Sequence, residues 1–128
     1  MEKRNLGNTG TKVGALGIGA MSFSDFYGPT NTQESHAILK MALDNGIDHI
    51  DTAKVYGMGL SEERIGQFLN TLSPNDRQFF KIATKGGIDR KNFDDKGTVV
   101  FDNSKQFLTE ELNNSLKRLG VDCVELYY

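Results

Sequence analysis

The chain has 128 residues, 38% of them hydrophobic and 25% charged, and its 15 Lys and Arg against 17 Asp and Glu leave a formal charge of −2. That is an ordinary globular composition; it excludes a disordered or collagen-like chain and lacks the basic excess of a nucleic-acid binder. No apolar run approaches the roughly 18 residues that cross a bilayer, and the start, Met1-Glu2-Lys3-Arg4-Asn5, has no apolar secretion core, so the expectation is one cytoplasmic domain over residues 1–128.

Residues 4–13, with a glycine-containing turn, read as a small hairpin outside the main sheet. The apolar run 15–19 has strand length. Asn31 or Thr32 caps a first helix, with Glu34 in capping-box position after Asn31. Ile38, Met41 and Ala42 mark its apolar stripe, and Asn45-Gly46 closes it. A second strand covers 49–52. Ser61 then caps a second helix, Glu62 and Glu63 suit its positive end, Ile65, Phe68, Leu69 and Leu72 follow helical spacing, and Pro74 stops it. Residues 79–85 form a third strand. The connection 86–101, with Arg90, Lys91, Asp94, Asp95 and Lys96, is long for a strand-to-helix link and reads as a lid or a solvated loop. A third helix starts near Asn103 and Ser104, carries Leu108, Leu112, Leu116 and Leu119 on one stripe, and ends with Lys117-Arg118 before Gly120. Residues 121–128 form the last strand. Strands alternating with helices build right-handed βαβ units, hence a parallel sheet covered by helices. A closed barrel of eight such units takes ~250 residues, so a chain of this length falls well short of closing one, and an open doubly wound sheet of four or five strands is the alternative.

Asp51 falls near the C-terminal end of the second strand, Tyr56 in the loop after it, and Lys85 at the C-terminal end of the third. In parallel α/β sheets these ends open to one side, where ligands gather. An ammonium beside a phenol favours the phenolate and lowers its pKa from about 10, while a carboxylate keeps the ammonium charged and in place. A tyrosine so placed can act as general acid toward a carbonyl oxygen that is becoming an alkoxide. The hydride must come from a cofactor, because no side chain supplies one. The plainer alternative is a solvated ion pair at the strand ends.

The stretch from Gly46 to Gly66, including Asp51-Thr52-Ala53-Lys54-Val55-Tyr56-Gly57 and Ser61-Glu62-Glu63-Arg64, resembles the signature of the aldo-keto reductase family. Ile82-Ala83-Thr84-Lys85-Gly86-Gly87 resembles its third-strand motif, Leu16-Gly17-Ile18-Gly19-Ala20-Met21 its first strand, and Ser115-Leu116-Lys117-Arg118-Leu119-Gly120 the approach to its fourth. The resemblance implies an α/β barrel that reduces small aldehydes and ketones with NADPH through a catalytic Asp, Tyr, Lys and His. Asp51, Tyr56 and Lys85 match the first three, and Ala20, Met21 and Asp51 match positions near the nicotinamide. The family's histidine lies just beyond the Leu126-Tyr127-Tyr128 segment. The chain therefore resembles the N-terminal half of such an enzyme, and catalysis by this half alone is expected to be weak. A competing reading is a non-catalytic half-barrel acting as a binding or assembly module. Its open strand edges would favour self-association or pairing with a complementing half-barrel.

Other candidates have simpler readings. Gly14, Gly17 and Gly19 suggest a dinucleotide fingerprint, but Ser22 stands where its third glycine belongs. His36 and His49 read as a helix-surface and a strand-packing residue, and no metal site is expected, for want of a third ligand at suitable spacing. Cys123 is the single cysteine, which excludes an intrachain disulfide and a cysteine zinc site; it reads as a small buried hydrophobe. Phe23, Phe26 and Tyr27 lie in the first loop, where the resemblance suggests walls of a substrate pocket and plain loop packing is the alternative.

Overall fold

Helix ends in this chain are set by short-range capping chemistry. The computed structural model describes the backbone of residues 1–93 and 98–128 and the side chains of residues 1–89 and 98–128. A hairpin of β1 (Lys3–Asn5) and β2 (Lys12–Gly14) leads into β3 (Gly17–Gly19). Helix α1 (Thr32–Asp44) starts at Asn31, whose side chain accepts from the Glu34 amide while the Glu34 carboxylate accepts from the Asn31 amide, the expected capping box. Then come β4 (His49–Asp51), α2 (Leu60–Asn70), α3 (Pro74–Phe79) and β5 (Lys81–Thr84). A hairpin of β6 (Ile88–Phe93) and β7 (Val99–Phe101) precedes α4 (Lys105–Leu119) and β8 (Leu126–Tyr127). Ser104 caps α4 and Gly120, at φ 67°, closes it.

The main sheet has the order β3-β4-β5-β8 with every pairing parallel, as the alternation of elements requires. Ile18, Ile50 and Ile82 stand level across it. Ile50 and Ile82 are buried in the core against Leu39, Ala42, Ile65, Phe68, Leu69 and Leu119 of the helices, with Ile18 packed at its margin. Because side chains alternate along a strand, the neighbouring residues Gly17, Gly19, His49 and Asp51 belong to the opposite face. This is part of an α/β barrel: helices cover one face, and small or polar residues line the other.

Several expectations need correction. There are four α-helices among the described residues, not three. Pro74 does more than stop α2, since with Ser73 accepting from the Asp76 amide it opens α3 at a position where a missing N–H costs nothing. Gly59, at φ 105°, occupies the N-cap of α2, and Ser61 lies inside the helix. Residues 86–101 are no plain loop, because their described part forms the β6–β7 hairpin; Asp94, Asp95 and Lys96, and the side chains of Arg90 and Lys91, lie outside the described residues. On α1 the buried residues are Ser35, Leu39 and Ala42, while Ile38 and Met41 are exposed. On α4 Leu119 of the leucine stripe is buried as expected, but the other buried residues, Glu111 and Ser115, lie one position off that stripe. Cys123 is exposed, and His36 is half-buried, its Nε2 3.0 Å from the Arg64 carbonyl oxygen.

The first hairpin closes the N-terminal end of the sheet, opposite the rim where the strands finish. Asp48, just before β4, is its anchor: the buried carboxylate accepts from the Gly14 amide at 2.6 Å and from the Lys3 ammonium. Burial raises its pKa, but the hydrogen bonds from Lys3 and Gly14 outweigh burial and hold the carboxyl below the usual range. A carboxyl with a depressed folded-state pKa contributes stability that is full above the ordinary value of about 4 and is lost as pH falls through the folded value. Asp48→Asn is expected to lose about 1–3 kcal/mol at pH 7. Urea midpoints measured from pH 7 to 3 should converge for the two proteins; parallel curves would show that Asp48 does not carry this acid sensitivity.

Candidate active site

Asp51 ends β4, and the Thr52 amide extends the ladder by bonding the Ala83 carbonyl at 2.9 Å. The chain then turns tightly, with the Tyr56 amide donating to the Ala53 carbonyl at 3.0 Å and Thr52, Ala53 and Lys54 all buried. Gly57, Met58 and Gly59 follow with φ of 64°, 56° and 105°. These three left-handed residues reverse the backbone so that α2 starts directly behind Tyr56. A Cβ on Gly57 would lie 2.8 Å from the Ser24 Cβ and 2.9 Å from the Leu60 Cβ, so glycine is required there on both counts. Met58 bears the cost of a non-glycine residue in this conformation, roughly 1–2 kcal/mol.

Lys85 lies one residue beyond β5. Its ammonium donates to the Asp51 carboxylate, to the Thr52 carbonyl at 3.0 Å and to the Tyr56 hydroxyl at 3.2 Å, so each of its three protons has an acceptor. It also lies over the Tyr56 ring, 5.0 Å from the centroid, and 5.7 Å from that of Tyr128. Burial disfavours the ammonium, but the hydrogen bonds with Asp51 and Tyr56 outweigh it and raise the Lys85 pKa above the ordinary lysine value. The Lys85 and Asp51 side chains are 31% and 34% exposed, so the group is ordered yet open to a ligand. The three residues singled out in the sequence therefore meet at one rim.

Ala20 and Met21 begin the short 3-10 turn after β3. The Ala20 side chain is fully buried in the core, leaving only its backbone to face a ligand, and Met21 is half-buried. A cavity of about 240 Å³ beside Tyr56 is lined by Met21, Ser24, Phe26, Val55 and Met58. Of the three aromatic residues in this loop, Phe26 lines that cavity, Tyr27 lines a separate groove with Gly28 and Pro29, and Phe23 is a core residue. Among the described residues no three of His, Cys, Asp and Glu are grouped to hold a metal.

Sequence reasoning missed the residues that hold these loops together. Ser61 donates to the Ala20 carbonyl at 2.7 Å and lies 2.9 Å from the Thr52 hydroxyl. Arg64, also buried, donates to the Phe23 carbonyl at 2.6 Å and the Thr30 carbonyl at 3.3 Å. The available signal was their spacing: Ser61, Arg64, Ile65 and Phe68 stand at i, i+3, i+4 and i+7, so the two polar residues share the helix face that must be buried.

A parallel half of an α/β barrel with a carboxylate, a phenol and an ammonium joined at its C-terminal rim is the setting in which the comparisons with known proteins fall. The model of the aldo/keto reductase family matches residues 15–128, and the chain belongs to that family of oxidoreductases. It is 34% identical over 125 residues to the NADP(+)-designated aldo-keto reductase yakc of Schizosaccharomyces pombe, covering 98% of this chain and 35% of that protein. It is also 34% identical over 128 residues to L-galactose dehydrogenase of Arabidopsis thaliana, covering 100% of this chain and 37% of that protein. Among solved structures, the holo form of an aldo-keto reductase from Bacillus halodurans superposes with a TM-score of 0.81 at 34% identity, over 99% of this chain and 39% of that one. The chain thus spans well under half the length of these relatives. No helix among the described residues is long and apolar enough to cross a membrane.

Proposed function

We propose that the chain carries the acid end of an NADPH-dependent carbonyl reductase, converting small aldehydes and ketones to alcohols with Tyr56 as general acid. The observation that carries this reading is the Lys85 ammonium, which donates to the Tyr56 hydroxyl at 3.2 Å while held by Asp51. A phenol oxygen that accepts from a cation keeps its own O–H free to point at a substrate oxygen. As negative charge develops on that oxygen, Tyr56 Oη transfers its proton, and the adjacent ammonium stabilises the phenolate left behind. Asp51 keeps Lys85 charged and aimed throughout.

The residues present fit the nicotinamide end of the cofactor. Gly19, level with Asp51, has nothing within 4 Å of where a Cβ would stand, which leaves a flat, open backbone at the rim. Met21, Asp51 and the backbone of Ala20 would hold the cofactor there; when bound, NADPH supplies the hydride. The first loop and Tyr56 offer the carbonyl compound an apolar wall of Met21, Phe26, Val55 and Met58.

The test is aldehyde-dependent NADPH oxidation by the 128-residue chain. With this share of the relatives' length, its turnover is expected well below the ~10 per second typical of enzymes. Tyr56→Phe should lower what is measured by about 10²-fold or more, down to the blank. A rate of ordinary size that survives Tyr56→Phe unchanged would overturn the assignment.

A further inference from the structure

Behind the rim lies a second set of charges that the proposed chemistry does not use. Lys54, between Asp51 and Tyr56, is 6% exposed, and Glu111, in the middle of α4, is 9% exposed. Lys54 Nζ and Glu111 Oε2 meet at 2.7 Å, an ion-pair contact whose angles fall outside hydrogen-bond geometry. A buried pair of this kind does not outdo a hydrophobic pair of equal volume in stability, because removing two charges from water offsets most of their attraction. What it does impose is a short, fixed separation between two elements.

Both ends of the pair lead to the site. On one side, Lys54 is two residues from Thr52, whose carbonyl accepts from Lys85, and two from Tyr56 itself. On the other, Glu111 is close enough to Tyr127 that, after burial, its charge is the next cause raising that phenol's pKa. The Tyr127 hydroxyl in turn lies 2.0 Å from where a Cβ on Gly86 would stand, so Tyr127 packs directly on the residue that follows Lys85. Glu62, the other carboxylate near Tyr127, is already satisfied by Thr84 and Arg118, which leaves Lys54 as the cation for Glu111. We propose that Lys54 and Glu111 are positioning residues, a buried ionic clamp that fixes the Tyr56 loop against α4 and thereby sets the contact of Lys85 with Tyr56. Their functional meaning rests on the reductase reading, but the clamp itself is testable without it.

The readout is the Lys85 side chain in the 128-residue chain labelled with 13C-lysine. Its ε-methylene signal, assigned by its absence in Lys85→Arg, should be displaced by the ring currents of Tyr56 and Tyr128, which lie under the ammonium. Lys54→Met and Glu111→Gln are expected to lose at least half of that displacement while the amide spectrum stays dispersed, and Lys54→Arg to retain it. Should a single variant fail to fold because one charge is left buried alone, the double variant Lys54→Met/Glu111→Met removes both charges; it should fold and still lose the displacement. A folded double variant with the full displacement overturns the clamp, because a merely structural pair would leave the Lys85 signal where it was. Failure of the reductase reading looks different: Tyr56→Phe would leave aldehyde-dependent oxidation unchanged, whatever the lysine spectrum shows.

Discussion

Gly66→Ala is expected to destabilise the chain by about 3 kcal/mol or more, a large effect for the addition of one methyl group. In an exposed helix the same change gains up to about 1 kcal/mol, since alanine loses less backbone freedom than glycine. Here the new Cβ would lie 2.1 Å from the Arg118 carbonyl oxygen, 3.0 Å from the Leu119 carbonyl carbon and 3.1 Å from that of Arg118. All three are backbone atoms of the last turn of α4, so no side chain can swing aside and the two helices must separate. Leu119, fully buried in the core, and Gly120, whose left-handed conformation ends the helix, would both move with that turn. Gly19→Ala is the control, because its Cβ would meet nothing within 4 Å, and its effect should stay within about 0.5 kcal/mol. Urea midpoints of the two variants give the comparison; equal shifts would mean that the α2–α4 approach is not what Gly66 serves.

The same pair of helices shows what a sequence reveals and what it conceals. Caps are legible because they are local: Asn31 with Glu34, and Ser104 with the Phe107 amide, each satisfy a helix end within three residues. The parallel sheet is legible from alternation, and Asp51, Tyr56 and Lys85 from their places at strand ends, sharpened by the family motifs. The orientation of each helix is not, because hydrophobicity alone does not say which edge of a stripe faces the sheet. On α1, Ser35 takes a buried position by bonding its hydroxyl to the Asn31 carbonyl at 3.0 Å, and Ile38 and Met41 are turned outward. On α4, Glu111 and Ser115 are inside because their partners, Lys54 and Arg118, are brought to them. A charged residue in a helix reads as solvated until its partner is known, and Glu62 finds Arg118 56 residues away. Local patterns carry no signal for such a pairing.

That long-range pairing sets the other large expected effect. Glu62 is fully buried, and its carboxylate accepts from the Thr84 hydroxyl at 2.6 Å and from the Arg118 guanidinium at 2.7 Å, while Arg118 also donates to Ser115 at 3.2 Å. Arg118→Met should remove the cation paired with that carboxylate and leave a charge that water cannot reach, at a cost of about 3–5 kcal/mol. For a chain of this size that corresponds to a fall of roughly 10 °C or more in melting temperature. Glu62→Met should cost less, because the Arg118 side chain is 21% exposed and can turn its charge to solvent, whereas the Glu62 side chain is 0% exposed. Adding Glu62→Met to Arg118→Met should then recover much of the loss, giving a strongly non-additive cycle. Additive losses across the four proteins would mean that the two side chains act through packing alone. The position of the pair ties this to the rim: Thr84, the residue bound to Glu62, directly precedes Lys85, so a carboxylate freed from Arg118 loosens the strand end from which the ammonium reaches Asp51 and Tyr56.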